Sequence, residues 1–230
     1  MNRIAIDTSG PILSVSVTGA ATEAHISVKG EGQHAQSIIE VLEATLLKAE
    51  VPKTDIHRIY CALGPGSFTG LRIGYAAAKA LALASDAPVI PISPLDCYAR
   101  SYSFWPGAVI AVIDARKERF YLQVFRSGKP VTDILDIDSA ASLSYLDPEE
   151  RILVTGYDAL TFCEALHAIR ADMSLIPVSP PATGISSIMI SLAQERELME
   201  NSAHSAYTKG IADHDGPLYV RKSDAENANA

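Results

Sequence analysis

The segment from Gly64 to Gly74 combines residue types that often surround a phosphate group in proteins. It reads Gly-Pro-Gly-Ser-Phe-Thr-Gly-Leu-Arg-Ile-Gly and lies between a predicted strand and a predicted helix. The free N–H groups and the dipole at the start of such a helix can hold an anion. However, the segment lacks the Gly-Lys-Ser/Thr ending of a P-loop, and its spacing is GxGxxxG rather than GxGxxG. Two interpretations stay open: phosphate binding, or a tight strand-to-helix turn in which Ser67 or Thr69 caps the helix.

Histidines and cysteines give no pattern typical of a metal or nucleophile site. The six histidines are scattered, and none lies three or four residues from another. His34 comes just before a predicted helix, so we expect a solvated residue at the helix start. The three cysteines, Cys61, Cys97 and Cys163, are far apart and odd in number, which favours buried reduced thiols. We therefore expect no metal and no cofactor.

The composition excludes several classes of protein. The chain has 230 residues, with 48% hydrophobic and 20% charged residues, as in ordinary globular proteins. Its net charge of −8 repels phosphate, so any nucleic-acid role would depend on the basic surface of a partner. The N-terminus does not resemble a signal peptide, and the longest apolar stretch, Ile73 to Ala84, is interrupted by Lys79 and too short to span a bilayer. We expect a cytoplasmic protein that does not contact a membrane.

The periodicity of apolar residues predicts the same order of elements in both halves of the chain. The first half predicts strands at Arg3–Thr8, Ile12–Thr18, Ala24–Val28, Ile56–Leu63 and Pro88–Ile92, and helices at Gln33–Lys48, Phe68–Ala84 and Leu95–Tyr102. The second half predicts strands at Ala108–Ile113, Arg119–Phe125, Val131–Ile137, Arg151–Val154 and Ser174–Val178, and helices at Ala140–Tyr145, Asp158–Ile169 and Ile185–Leu198. Both halves therefore read β-β-β-α-β-α-β-α.

This order predicts an α/β fold made of duplicated actin-like units of the ribonuclease H-like (ASKHA) type. Three consecutive strands form an antiparallel meander, and crossover helices then add parallel strands. We expect an N-terminal subdomain at 1–104, a C-terminal subdomain at 105–221 and a flexible tail at 222–230. Asp7 and Asp114 end the first strand of each half. Actin-like ATPases hold Mg²⁺-nucleotide at such positions, although aspartate is also common in turns.

Two helices of the first half carry more apolar residues than one sheet face needs. Their bands can pack only on the sheet, or one stripe can face the sheet and the other a partner. The candidate interface residues are Ala35, Ile38, Ile39, Leu42, Ile73, Ala76, Ala77 and Ala80.

Four segments together resemble one bacterial family along almost the whole chain. They are Ala5-Ile-Asp-Thr-Ser9, the glycine segment, Asp114-Ala-Arg116 with Tyr121, and Pro217-Leu-Tyr-Val-Arg221. The family is the dimerisation subunit, of TsaB/YeaZ type, of the complex that makes N6-threonylcarbamoyladenosine in tRNA. The resemblance implies a paralogous catalytic partner of TsaD type, a small P-loop ATPase of TsaE type, contact with tRNA only through the complex, and a homodimer when alone. It also implies that the two helices above dock on the partner's equivalent helices.

The same resemblance implies that this chain does not catalyse the transfer. The catalytic paralogue carries a His-x-x-x-His metal motif on the short helix after the corresponding strand. Here the two histidine positions are Pro94 and Tyr98, and proline has no side-chain donor atom. We therefore expect a scaffold for threonylcarbamoyl transfer to the adenosine next to the anticodon.

Two alternatives come from different classes of protein. An actin-like small-molecule kinase or ATPase would use Asp7 and Asp114 to bind Mg²⁺-ATP, and a hydrolase would need metal ligands that the motif lacks. The candidate vestigial nucleotide site comprises Asp7, Thr8, Ser9, Gly64, Gly66 and Asp114. The segment from Met199 to Pro217 loses periodicity, and its role stays open.

Overall fold

The computed structural model describes residues 1–30 and 32–200, which form two compact units. The first unit contains residues 1–97 together with 181–200, and the second contains residues 98–180. The predicted tail at 222–230 and the segment after residue 200 lie outside the described residues.

A five-stranded mixed sheet forms the centre of the first unit. Its strands are β1 (Arg3–Asp7), β2 (Ile12–Thr18), β3 (Glu23–Lys29), β4 (Arg58–Ala62) and β5 (Val89–Ile92). The order across the sheet is β3-β2-β1-β4-β5, with β1–β2 and β2–β3 antiparallel and β1–β4 and β4–β5 parallel. The meander and the crossovers read from the sequence are thus confirmed.

Two helices cover one face of this sheet, α1 (His34–Lys48) and α2 (Phe68–Ser85). The Ser67 hydroxyl accepts a hydrogen bond from the Gly70 backbone N–H and caps the start of α2, as predicted. Asp86 ends α2 in a left-handed conformation with φ of 57°, which asparagine and aspartate tolerate better than most residues. A short 3₁₀ turn at Lys53–Asp55, which the periodicity did not predict, precedes β4.

The second unit repeats the same strand order. Its strands are β6 (Ala108–Arg116), β7 (Arg119–Arg126), β8 (Lys129–Pro130), β9 (Leu135–Asp138), β10 (Arg151–Thr155) and β11 (Ser174–Val178). They run β11-β10-β6-β7, and both β8 and β9 pair with β7. Helices α4 (Ser139–Ser142) and α5 (Ala159–His167) lie in the sequence where α1 and α2 lie in the first unit.

Only the end of the strand predicted at Val131–Ile137 forms a strand, β9, whereas β8 lies just before the predicted range. The apolar residues of that range suggested one continuous strand. However, the Thr132 side chain takes over part of the ladder, because its Oγ1 accepts from the Val124 N–H at 3.1 Å. Side-chain bonds of this kind compete with regular strand pairing.

The last described helix, α6 (Ser186–Glu200), packs on the first sheet, so the division of the chain differs from the expected 1–104 and 105–221. The Tyr60 hydroxyl donates to Glu197 Oε1 at 2.6 Å, and the Arg3 guanidinium pairs with Glu197 Oε2 at 3.0 Å. Helix α3 (Pro94–Arg100) contributes Asp96, which pairs with Arg196 at 2.6 Å. Polar side chains of α6, late in the sequence, thus attach this helix to the sheet formed by the N-terminal half. Helix periodicity alone does not predict this attachment.

None of the helices in the described part of the chain has the length and apolar character needed to cross a lipid bilayer.

Candidate functional site: a helical face and the turns that hold Asp7 and Asp114

The Asp7 carboxylate at the end of β1 accepts hydrogen bonds from the turn that follows it. Its Oδ1 accepts hydrogen bonds from the Ser9 backbone N–H at 2.9 Å and from the Ser9 hydroxyl at 2.6 Å. The side chain is 1% exposed. Burial raises the pKa of this carboxyl above its usual value, because the charged form loses its hydration. The residue therefore acts as the anchor of the β1–β2 turn and does not present its charge to solvent.

The glycine segment lies directly against this turn. The Ser67 backbone N–H donates to the Ser9 carbonyl at 2.8 Å, and the Thr8 hydroxyl donates to the Gly70 carbonyl at 2.7 Å. A Cβ atom at Gly70 would lie 2.0 Å from the Thr8 carbonyl oxygen, and one at Gly74 would lie 2.4 Å from Thr8 Oγ1. Gly66 similarly approaches Ser9. Of the two interpretations left open, the structure favours close packing of α2 on the end of β1.

Gly64 has a counterpart in the second unit, which supports the duplication. It follows β4 with φ of 128°, and Gly156 follows β10 with φ of 139°. Each glycine comes after the strand that pairs in parallel with the first strand of its own sheet. Residues with a side chain rarely adopt such φ values, so glycine suits both positions.

The Asp114 carboxylate is also engaged within its own unit. Its Oδ1 accepts from the Arg116 backbone N–H at 2.7 Å, and its Oδ2 pairs with the Arg116 guanidinium at 3.2 Å. The Asp114 N–H donates to Asp158 Oδ2 at 2.8 Å. Arg116, Lys117 and Glu118 have φ values of 64°, 58° and 59°, so the β6–β7 turn consists of three left-handed non-glycine residues. Asp114 therefore stabilises the β6–β7 turn from within β6, as Asp7 stabilises the β1–β2 turn from the end of β1.

His34 differs from the expected solvated residue. It is buried, and its Nε2 lies 2.9 Å from the Gly10 carbonyl oxygen in the β1–β2 turn. The prediction was wrong because the start of α1 packs on that turn, which the sequence pattern around His34 does not indicate.

The eight candidate interface residues divide into two groups. Ile38, Leu42 and Ala77 belong to the buried core of the first unit, so they cannot contact a partner directly. Ala35, Ile39, Ala76 and Ala80 are exposed and Ile73 is half-buried. Further exposed apolar residues on the same two helices are Leu47, Phe68 and Leu83. We call the exposed set the α1–α2 stripe: Ala35, Ile39, Leu47, Phe68, Ala76, Ala80 and Leu83.

Helix α3 holds Pro94 and Tyr98, the two positions at which the resemblance implies histidines in a catalytic paralogue. Tyr98 is 1% exposed and packs edge-on against Tyr157, with ring centroids 5.9 Å apart. Pro94 begins the helix. Among residues 1–30 and 32–200, no cluster of three or more His, Cys, Asp or Glu side chains has the geometry of a metal site.

Sequence reasoning missed Asp158, which precedes α5 and accepts from the Asp114 backbone. Burial raises the pKa of the Asp158 carboxyl, and the nearby Asp114 carboxylate adds to this effect. Its position two residues after Gly156 was the available signal, since polar residues that follow parallel strands often meet at one edge of the sheet.

Replacing Asp7 with asparagine is expected to stabilise the protein near neutral pH. Asparagine keeps the oxygen that accepts both Ser9 bonds but removes the cost of a buried charge. Because the folded-state pKa of Asp7 is raised, the stabilising protonated form is complete below the unfolded value of 3.8 and is lost as pH rises through the folded value. The difference in Tm between Asp7→Asn and the parent should therefore grow with pH. Each 1 kcal/mol of added stability should raise the Tm by roughly 2–4 °C.

Thermal melts of the parent and of Asp7→Asn from acidic to neutral pH test the expectation. Asp133→Asn is the matched control, because Asp133 is exposed. A lower Tm for Asp7→Asn at neutral pH would show that the Asp7 charge has a favourable partner.

Two mixed sheets of equivalent strand order, with helices packed on them, define an actin-like α/β protein. The profile of the TsaD family, described as tRNA N6-adenosine threonylcarbamoyltransferase, matches residues 29–206. Because this match covers more than half of the chain, the chain belongs to that family.

Several of the proteins similar to this chain are of the TsaB/YeaZ type. The chain is 25% identical to the tRNA threonylcarbamoyladenosine biosynthesis protein TsaB of Bacillus subtilis over 98% of this chain and 96% of that protein. It is 34% identical to the TsaB protein of Haemophilus influenzae, over 55% of each chain, so that alignment spans about half of that relative. The solved structure of YeaZ from Pseudomonas aeruginosa superposes with a TM-score of 0.73 at 22% identity, covering 95% of this chain and 99% of that one. This last likeness confirms the fold.

Proposed function

We propose that the chain is a non-catalytic subunit needed for threonylcarbamoyl transfer to N6 of the tRNA adenosine next to the anticodon. It acts by binding the paralogous catalytic subunit of TsaD type. The observation that carries this proposal is the α1–α2 stripe, an apolar surface on the two helices that cover the first sheet. The names of the relatives support the pathway, since they are biosynthesis proteins for threonylcarbamoyladenosine in tRNA.

The α1–α2 stripe has the properties of a docking face. Ile39 is 56% exposed and Leu83 is 89% exposed, although both lie on helices whose opposite sides are buried in the core. Monomeric proteins rarely leave such residues in contiguous apolar patches. The small side chains of Ala76 and Ala80 allow a partner helix to approach closely, near the lower end of the ~8–10 Å range for packed helices. Arg72 lies over the Phe68 ring at 3.8 Å and supplies a polar margin.

Two features support a role without catalysis. Pro94 and the buried Tyr98 stand where the catalytic paralogue has metal-binding histidines. The Asp7 and Asp114 carboxylates, which an actin-like kinase or ATPase would use, are hydrogen-bonded to Ser9 and Arg116 within their own turns. These contacts favour the scaffold over the kinase alternative.

The remaining partners follow from the same proposal. The small P-loop ATPase of TsaE type and the tRNA join through the assembled complex. Without the catalytic subunit, the α1–α2 stripe pairs with the same stripe of a second copy, because a surface made for a paralogous fold can accept its own chain.

Reconstitution with the other subunits tests the function. Threonylcarbamoyladenosine should form in tRNA only when this chain is present, as measured by nucleoside mass spectrometry. In a parallel calorimetric titration, Mg²⁺-ATP should release no binding heat with the purified chain alone. Modification that proceeds equally well without the chain would contradict the proposed function, and saturable Mg²⁺-ATP binding by the chain alone would favour the kinase alternative.

A further inference from the structure

The segment that joins α3 to β6 displays one aromatic side chain and fixes its neighbours. Phe104 is 77% exposed. Beside it, the Tyr102 hydroxyl donates to the Ser179 carbonyl at 3.2 Å, and the Trp105 indole N–H donates to the Arg151 carbonyl at 3.2 Å. The two flanking rings are thus tied to the second unit. Phe104 is therefore held in the open by a constrained loop, which lowers the entropy cost of using it in binding.

Two pairs of side chains are in contact on and beside this loop. The centroids of Tyr102 and Phe104 are 6.4 Å apart, with their planes at 50°. The guanidinium carbon of Arg151 lies 5.8 Å from the centre of the Trp105 ring, within the range of a cation–π contact. We call these four residues the aromatic platform.

Basic residues border the aromatic platform. The turn after β7 packs on its loop, since a Cβ at Gly128 would lie 3.0 Å from the Ser103 Cβ. Exposed Arg126 and Lys129 flank that turn. Arg126 is paired with Glu150 at 2.6 Å, so Lys129 and Arg151 supply the outward positive charge. The acidic residues of the loop before β10 weaken the attraction of this surface for phosphate. Affinity for a ligand must therefore come mainly from stacking on the aromatic platform.

We propose that the aromatic platform stacks an unpaired RNA base. Sequence-tolerant RNA contacts use exposed aromatic rings and arginine planes, which stack on the faces of bases, with lysine near the backbone. The guanidinium against the Trp105 ring and the ammonium on the neighbouring turn suit the face of a base and its phosphate better than an apolar protein pocket. The identification of this RNA as the single-stranded part of a tRNA rests on the proposed function. This chain then contributes an RNA contact of its own, despite its net charge of −8.

The chain contains one tryptophan, Trp105, which makes the aromatic platform its own fluorescent reporter. We expect single-stranded oligoadenylate RNA to quench Trp105 fluorescence saturably at low salt. Phe104→Ala should weaken the apparent affinity by roughly 10-fold, within the ~1–3 kcal/mol typical of one stacked base. Leu160→Ala is the matched control, because Leu160 is an apolar residue of the same unit and is 59% exposed. It should leave the affinity unchanged.

Inorganic polyphosphate, a polyanion without bases, provides the second control and should not quench. Equal quenching by polyphosphate, absence of quenching by RNA, or equal weakening by both substitutions would overturn the inference. So would a Phe104→Ala chain that binds RNA normally but fails to bind the catalytic subunit, since the aromatic platform would then be a protein interface. The reconstituted reaction separates the two proposals. If modification requires the chain but is unchanged by Phe104→Ala, the aromatic platform has no role in tRNA binding and the proposed function stands. Modification without the chain would reject the proposed function alone.

Discussion

A chain with Ala80→Arg is expected to fold normally but to bind the catalytic subunit much more weakly. Ala80 is exposed on α2, so an arginine side chain at this position can extend into solvent. In the complex, the same side chain would clash with a closely packed helix and leave a desolvated charge unpaired. We expect at least roughly 100-fold weaker binding, equivalent to about 2.7 kcal/mol. Calorimetry with the purified catalytic subunit measures this, and cells carrying the variant should lose threonylcarbamoyladenosine from their tRNA.

Two further arginine variants sharpen the comparison. Ala77 lies three residues before Ala80 but is buried, so Ala77→Arg should lower the Tm strongly even without a partner. Ala141 is exposed in α4 of the second unit, so Ala141→Arg should change neither the Tm nor the binding. Normal binding by a folded Ala80→Arg chain would rule out this part of α2 as the docking surface.

Gly70→Ala is expected to be among the most destabilising single-methyl additions in the first unit. The new Cβ would lie 2.0 Å from the Thr8 carbonyl oxygen, which is backbone and cannot rotate away. Either α2 must move off β1 or the β1–β2 turn must open, and that turn also holds Asp7 and Ser9. The loss should be at least about 3 kcal/mol, at the upper end for overpacked sites, which is a large part of a typical folding free energy of about 5–15 kcal/mol.

Urea unfolding followed by circular dichroism measures this loss. Gly30→Ala is the matched control, because the nearest atom to its new Cβ would be Gln33 Oε1 at 3.4 Å, on a flexible side chain. The control should unfold close to the parent. A Gly70→Ala protein with the parent's stability would mean that the glycine serves a ligand and not packing.

The duplicated fold could be predicted because local patterns repeat in both halves. The alternation in Ile12–Thr18 and the helical apolar stripe after Gln33 report elements whose burial is set by adjacent residues. The position of α6 could not be predicted, since its attachment depends on Tyr60, Arg3 and Asp96, single polar side chains far away in the sequence. Periodicity indicates that a helix forms, but it does not indicate which sheet the helix covers.

The candidate site shows the same limit. The sequence indicated two helices as a candidate interface but could not separate exposed Ala76 from buried Ala77, because both belong to one wide apolar band. It could not decide whether the glycine segment binds phosphate or forms a tight strand-to-helix turn, since both roles need glycine. The approach of Thr8 to Gly70 and Gly74 distinguishes them, and that contact joins residues more than 60 positions apart.

The return of α6 to the first sheet has a consequence for biosynthesis. The bond between Arg3 and Glu197 joins residues 194 positions apart, and Ser16 meets Ser186 across 170 positions. A chain emerging from the ribosome completes the strands of its first sheet long before the helix that covers their second face exists. Contacts so distant in sequence slow folding, and an uncovered sheet exposes apolar surface to other nascent chains. The half that is synthesised first therefore completes its native contacts late, only after α6 has been made.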